Sequence, residues 1–201
     1  MTFSNVCNEI FEKATTDYHI KDNIDTPINN PYALKTIEYY LYLKNWIDAV
    51  QWHLEDIVRD PQIDPVEALA IKRRIDRSNQ ERTDLVELID SYVYDKYKTI
   101  EPKPNAIINT ESPAWAVDRL SILALKIYHM EQEVKRSEAT SEHIAGCQAK
   151  LNILLEQKND LSAAIDTLLN NIEKGKILIK VYKQMKMYND PNLNPILYTK
   201  K

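Results

Sequence analysis

Residues 140–172 read TSEHIAGCQAKLNILLEQKNDLSAAIDTLLNNI. Ile144, Cys147, Leu151, Leu154, Lys158, Leu161, Ile165, Leu168 and Ile172 recur there at steps of three and four. A repeat close to seven residues lays one seam, apolar except for Lys158, along a helix of about nine turns. A seam that long needs other helices to cover it. Thr140-Ser141-Glu142 supplies the start signal, because a Thr side chain can accept from an amide of the first turn. The seam leaves open whether the helix breaks at Gly175 or runs on through Ile179 and Tyr182.

Working back along the chain, Ser112-Pro113 opens a fourth helix with the stripe Leu120, Leu123, Ile127, Met130 and Val134. Before it, residues 99–111 carry Pro102 and Pro104 and read as a long loop. Asp64-Pro65 opens a third helix whose stripe is Ile71, Ile75, Ser78, Arg82, Leu85, Ile89 and Tyr92. The second helix is expected from Pro31, with Asn30 as N-cap and Tyr40, Leu43, Ile47, Val50, Leu54 and Ile57 as its stripe. Asp60-Pro61 ends it. A shorter helix over residues 4–20, with Val6, Ile10 and Phe11, is expected to cap or flank the rest. The fold expected is therefore all-α: an elongated up-down antiparallel bundle of four long helices plus a short N-terminal helix. Residues 1–188 form one domain in this reading, and 189–201, with Pro191 and Pro195, an extended tail.

Composition removes several classes of function. The chain of 201 residues has two glycines, Gly146 and Gly175, so no Gly-rich loop can cradle a phosphate or dinucleotide. Cys7 and Cys147 stand apart, without zinc-ligand spacing, and suit a reducing compartment. No basic leader and no membrane-length apolar run is visible, so the expected location is the cytoplasm. A net charge of −4 disfavours general nucleic-acid binding. Lys174, Lys176, Lys180, Lys183 and Lys186 form a local basic run with only Tyr182 and Tyr188 interleaved.

Two polar strings interrupt the helices: Trp52-His53-x-Glu55-Asp56-x-x-Arg59-Asp60 and Asn79-x-x-Arg82-Thr83-Asp84-x-x-Glu87-x-x-Asp90. Such local conflicts concentrate at functional or strained places. If helices two and three turn about residue 62, Asn79 lies level with Trp46 and Arg82 with Tyr42. If helix four turns back about residue 105, His129 lies level with residue 81. Trp46, Asp76, Asn79, Arg82, Thr83 and His129 could then share a layer. Arg82 would hold an anion, Asn79 and Thr83 orient it, and Asp76 or His129 move a proton. The bland alternative is a buried polar network with Arg82 paired to an acid. Trp52, Glu55, Asp56 and Arg59 share a second face suited to a protein partner or to self-association.

Glu55-Asp56 with Glu87-x-x-Asp90 loosely resembles the all-helical nucleotide pyrophosphohydrolases, which hold magnesium between facing helices. Position 59 is Arg where that pattern has an acid. A simple hairpin also keeps the two sets ~27 Å apart at ~1.5 Å per residue. No metal and no cofactor are therefore expected.

A wider resemblance covers residues 10–135. It rests on Tyr18-His19-x-x-Asp22, Asn30-Pro31-Tyr32, Lys44-Asn45-Trp46-Ile47-Asp48, Trp52-His53-Leu54-Glu55-Asp56 and Lys72-Arg73-Arg74-Ile75-Asp76. It continues through Asn79-Gln80-x-Arg82-Thr83-Asp84 and Asp118-Arg119-Leu120. Together these are similar to an uncharacterised all-helical family of unknown function found mostly in Bacteroidetes. The resemblance implies a context near cell-envelope glycan synthesis and no defined activity. The leading expectation is a non-catalytic interaction or scaffold protein. The rival is an enzyme or binding protein for a small anionic sugar- or nucleotide-linked molecule.

Overall fold

The computed structural model describes residues 1–185, 192–193 and 195–198. The fold is all-α. Helix α1 spans Phe3–His19, α2 Ile37–Val58 and α3 Pro65–Tyr97. A two-residue strand β1 (Ile107–Ile108) precedes α4 (Pro113–Lys135) and α5 (Ser141–Glu173), and β2 (Ile177–Leu178) follows. Pro195–Tyr198 forms one helical turn, α6, where the sequence reading has extended tail. Lys186 and Tyr188 of the basic run lie outside the described residues.

The caps explain most boundaries. Thr2, Thr36, Asp64 and Thr140 each accept, through their side chains, from an amide of the first turn of the helix they precede. Helix α4 is capped differently. Ser112 makes no side-chain bond to its own helix. Asp90 reaches across from α3, accepting from the Ala114 amide at 3.0 Å and from the Ser112 hydroxyl. Burial raises the Asp90 pKa, and these two bonds oppose the rise. Glu87, its neighbour in the acidic string, accepts from the Gln184 amide at 3.1 Å.

Helix α2 begins at Ile37, later than the expected start at Pro31. Asn30 is not its N-cap: it accepts from the Tyr32 amide and donates to the Tyr39 carbonyl. Lys35 sits at φ 68°, which no helix continues through, and Thr36 takes the cap.

Helix α1 does more than flank the bundle. Cys7, Phe11, Ala14 and Tyr18 are fully buried along one of its faces, and it packs against α2, α4 and α5. Ser4 and Asn8 bond to Asp166 and Ser162 of α5, so these two helices run antiparallel. Thr15 meets Asn45 and His19 meets His53, so α1 and α2 run parallel. Residues 20–36 carry the chain back along the bundle. Arg74 of α3 pins that connection through the Ile24 carbonyl at 2.6 Å and Asp25 at 2.8 Å.

Helix α5 ends before Gly175, which has φ 65°. A Cβ at that position would lie 2.6 Å from the Glu101 carbonyl oxygen. The close approach lets Lys103 donate to the Gly175 carbonyl at 2.8 Å and lets β1 pair with β2 in parallel. Gly175→Ala should destabilise the fold by about 1–3 kcal/mol, combining left-handed strain with displacement of residues 101–103. Urea unfolding would check this, with Gly146→Ala as a neutral or stabilising control, since nothing lies near a Cβ there.

Candidate functional site

The polar interruption of α3 is buried against acids from two other helices. Lys44 of α2 is wholly inaccessible to solvent. It contacts Asp48 one turn on and Asp118 of α4 at 2.8 Å. Arg82 of α3 closes the circuit, with Nε 2.6 Å from Asp48 and Nη2 3.1 Å from Asp118. The contact to Asp48 is a close ion pair rather than an aligned hydrogen bond. Positive and negative groups alternate around this ring, so its net charge is zero. Burial alone would lower the Arg82 pKa, but Asp48 and then Asp118 outweigh it and the pKa is raised.

Neutral groups complete the network. Ser121 donates to Asp48 at 2.6 Å. Asn45 donates to the Ser121 carbonyl and hydroxyl, and accepts from Thr15 of α1 at 2.8 Å. Four helices thus share one set of bonds. Gln51 extends it, donating to Asn79 at 2.9 Å and accepting from Ser78 at 3.0 Å. Thr83 donates to the Asn79 carbonyl within α3.

The register differs from the simple hairpin estimate. Arg82 lies level with Asp48 and Asn79 with Gln51, not with Tyr42 and Trp46. Helix α3 overshoots the end of α2, and its first turns leave Val66 and Leu69 exposed. Trp46 lies between Lys44 and Asp48 in α2 but is turned to another face, buried edge-on to Tyr18 and stacked near Tyr42. Asp76 is outside the layer, paired with Lys72 on a solvent-facing side of α3. His129 is outside it as well. With Arg82 level with Asp118, His129 lies about three turns further along α4, or ~16 Å.

Two members of the ring, Asp48 and Arg82, form the floor of a cleft of about 260 Å³. Trp52, Glu55, Asp56 and Arg59 line its sides. The face assigned in the sequence to a partner and the arginine assigned to a ligand therefore open onto the same space. Arg59 is the more accessible cation, 65% exposed in its side chain, and pairs with Glu55 at 3.2 Å.

Behind Trp52 lies a cluster of histidines. His19, His53 and His129 offer ring nitrogens that all lie within 4.8 Å of one another. Each follows an aromatic residue in sequence: Tyr18, Trp52 and Tyr128. The aromatics stack in a cycle. Tyr18 lies against His53 with centroids 5.3 Å apart, Trp52 against His129 at 4.7 Å, and Tyr128 against His19 at 4.1 Å.

Sequence reasoning missed Lys44, Asn45, Asp48 and Asp118 as members of a buried site. The available signal was two charges one turn apart and an amide beside them, on an otherwise packed helix. For the histidines, the signal was the aromatic that precedes three of the four in the chain.

Residues 38–181 match the family described as "Protein of unknown function (DUF4254)", and the chain belongs to that family. No curated protein and no solved structure matches it.

Arg82→Met should cost about 3 kcal/mol or more in urea unfolding, because it leaves two buried carboxylates facing one lysine. Asp76→Asn, which affects only a surface pair, should cost less than about 1 kcal/mol.

Proposed function

We propose that this member of a family of undescribed function binds a small sugar-linked molecule in the cleft between α2, α3 and α4. One observation carries the reading: Trp52, Glu55, Asp56, Arg59 and the charged floor converge on a single concave space. Ligand sites combine apolar walls with a few well-placed polar groups. Trp52 offers an aromatic surface to the apolar face of a sugar ring. Glu55 and Asp56 can accept from hydroxyl groups. Arg59 pairs with Glu55 and Asp56 but is largely exposed, so a phosphate or carboxylate at the rim can compete for it.

Of the two parts the sequence left open for Arg82, we take the buried polar network with paired acids rather than the anion ligand. Its guanidinium is engaged by Asp48 and Asp118, so it holds the floor in place rather than gripping an anion itself. The quartet adds no net charge to the cleft, which favours a ligand that brings hydroxyls as well as an anion. A sugar phosphate or nucleotide sugar has both. The context in cell-envelope glycan synthesis, carried by the resemblance, agrees with that chemistry. An enzymatic step is not needed for this reading.

A second reading, an interaction or scaffold protein, is favoured by α5. Only five of its 33 residues are buried. Ile153 and Leu155 stand exposed on it. Trp52 borders both the charged cleft and a groove that reaches Ile153 of α5, whereas Glu55 and Arg59 line only the cleft, so variants at Glu55 or Arg59 and at Ile153 can separate the two readings.

The test is thermal unfolding and tryptophan fluorescence with sugar phosphates, nucleotide sugars and the matching free sugars. A binder at ~100 times its Kd should add ~2.7 kcal/mol to stability. Arg59→Glu and Glu55→Gln should remove that gain while leaving the unliganded midpoint near wild type. No response to any of the three ligand classes would contradict the reading, as would a response unchanged in both variants.

A further inference from the structure

We propose that His19, His53 and His129 form a binding site for one divalent transition-metal ion of the zinc class. This stands on the histidines alone and does not depend on the cleft reading. It also revises the sequence expectation, which considered carboxylates and expected no metal.

Geometry comes first. His19 Nε2 and His53 Nε2 are 3.3 Å apart. With Zn–N bonds of ~2.0–2.1 Å, two ligands of a tetrahedral ion sit ~3.4 Å apart. The third histidine lies within 4.8 Å of both, so a contraction of at most ~1.4 Å completes the set.

The hydrogen bonds turn one lone pair inward. His19 Nδ1 lies 2.7 Å from the Thr15 carbonyl oxygen. A carbonyl can only accept, so Nδ1 carries the proton and the Nε2 lone pair faces His53. A backbone carbonyl on the far nitrogen is the usual way a metal-binding histidine is oriented. Asp22 Oδ1 is also 3.3 Å from His53 Nε2. His129 Nε2 is buried and has no hydrogen-bond partner among the described residues. One inward-facing lone pair, a carboxylate and an unsatisfied buried nitrogen converge around His53 Nε2, and a cation that replaces the His53 Nε2 proton satisfies them together.

The charge state agrees. Burial, then His19 and His53, hold the His129 pKa down at about 4. Burial also lowers the His19 pKa. Neutral imidazole is the form that binds metal.

The scaffold holds these groups in place. Each imidazole is stacked on one aromatic ring of the cycle. Asp22 has φ 46°, and its amide donates to the Tyr18 carbonyl at 3.1 Å, which turns the chain back beside His53. Three histidines leave the remaining position to Asp22 or to water.

A second group, Glu133, His143 and Cys147, also has the residue types of a metal site. Its members already satisfy one another, with His143 Nε2 2.9 Å from Glu133 and 3.3 Å from Cys147 Sγ. It therefore serves as the built-in control.

The experiment uses the full chain, free of any affinity tag and cleared of metal by a chelator. Zn²⁺ is titrated by calorimetry, and Co²⁺ by absorption. One ion per chain is expected. His53→Ala and His129→Ala, each checked for helicity, should weaken Zn²⁺ binding by on the order of 100-fold. Cys147→Ser should leave it unchanged. Wild-type Co²⁺ protein should show visible d–d bands without a near-ultraviolet thiolate-to-metal band, a result that needs no variant to fold. The proposal is overturned by absence of Zn²⁺ binding, by wild-type affinity in both folded histidine variants, or by a thiolate band that disappears with Cys147→Ser.

Discussion

The ring of Lys44, Asp48, Arg82 and Asp118 is the constraint on which the rest of the molecule depends. A lysine with no solvent exposure is strongly unfavourable as a cation unless anions surround it. Here two carboxylates do so, one from its own helix and one from α4. Arg82 answers both from α3. Apolar seams tolerate sliding by a turn, since one leucine packs much like another. Four alternating charges do not, because a shift of one turn leaves each of them buried beside the wrong partner. The ring therefore selects one register among several that hydrophobic burial alone would allow.

That register has functional consequences. It places Trp52 with the charged cleft on one side and His129 stacked at 4.7 Å on the other. The cleft and the histidine cluster are thus neighbours separated by a single indole. Helix α1 supplies His19 only because it runs parallel to α2, delivered by the connection that Arg74 holds against α3. Thr15 and Asn45 tie that helix to the ionic layer. Stability and site geometry are carried by the same bonds.

Much of this was readable in advance. Helix identity followed from apolar periodicity, and Asp64-Pro65, Ser112-Pro113 and Thr140 marked starts that the structure keeps. The start of α2 misled because Asn30-Pro31 has the composition of a cap, while the left-handed Lys35 and the side chain of Thr36 decide it. The register of Arg82, though not its pairing with acids on other helices, failed for a geometric reason. A hairpin estimate assumes that both helices begin at the turn, whereas α3 overshoots α2, and six residues of offset exchange Tyr42 for Asp48. Asp90, part of the acidic string for which no metal was expected, caps another helix, a role that the string itself does not show. The histidines were hidden because their convergence depends on a parallel crossover, which spacing along the chain does not reveal.

The claim that the ionic ring acts as one cooperative unit is tested most directly by a double-mutant cycle on Lys44 and Asp118. The variants are Lys44→Met, Asp118→Asn and the pair together, each measured by urea unfolding. Groups 2.8 Å apart in a shared buried network should couple by about 2 kcal/mol, so the double variant should lose much less than the sum of the singles. Additivity within ~0.5 kcal/mol would contradict the account, since it would mean that the two charges stabilise the fold independently of each other.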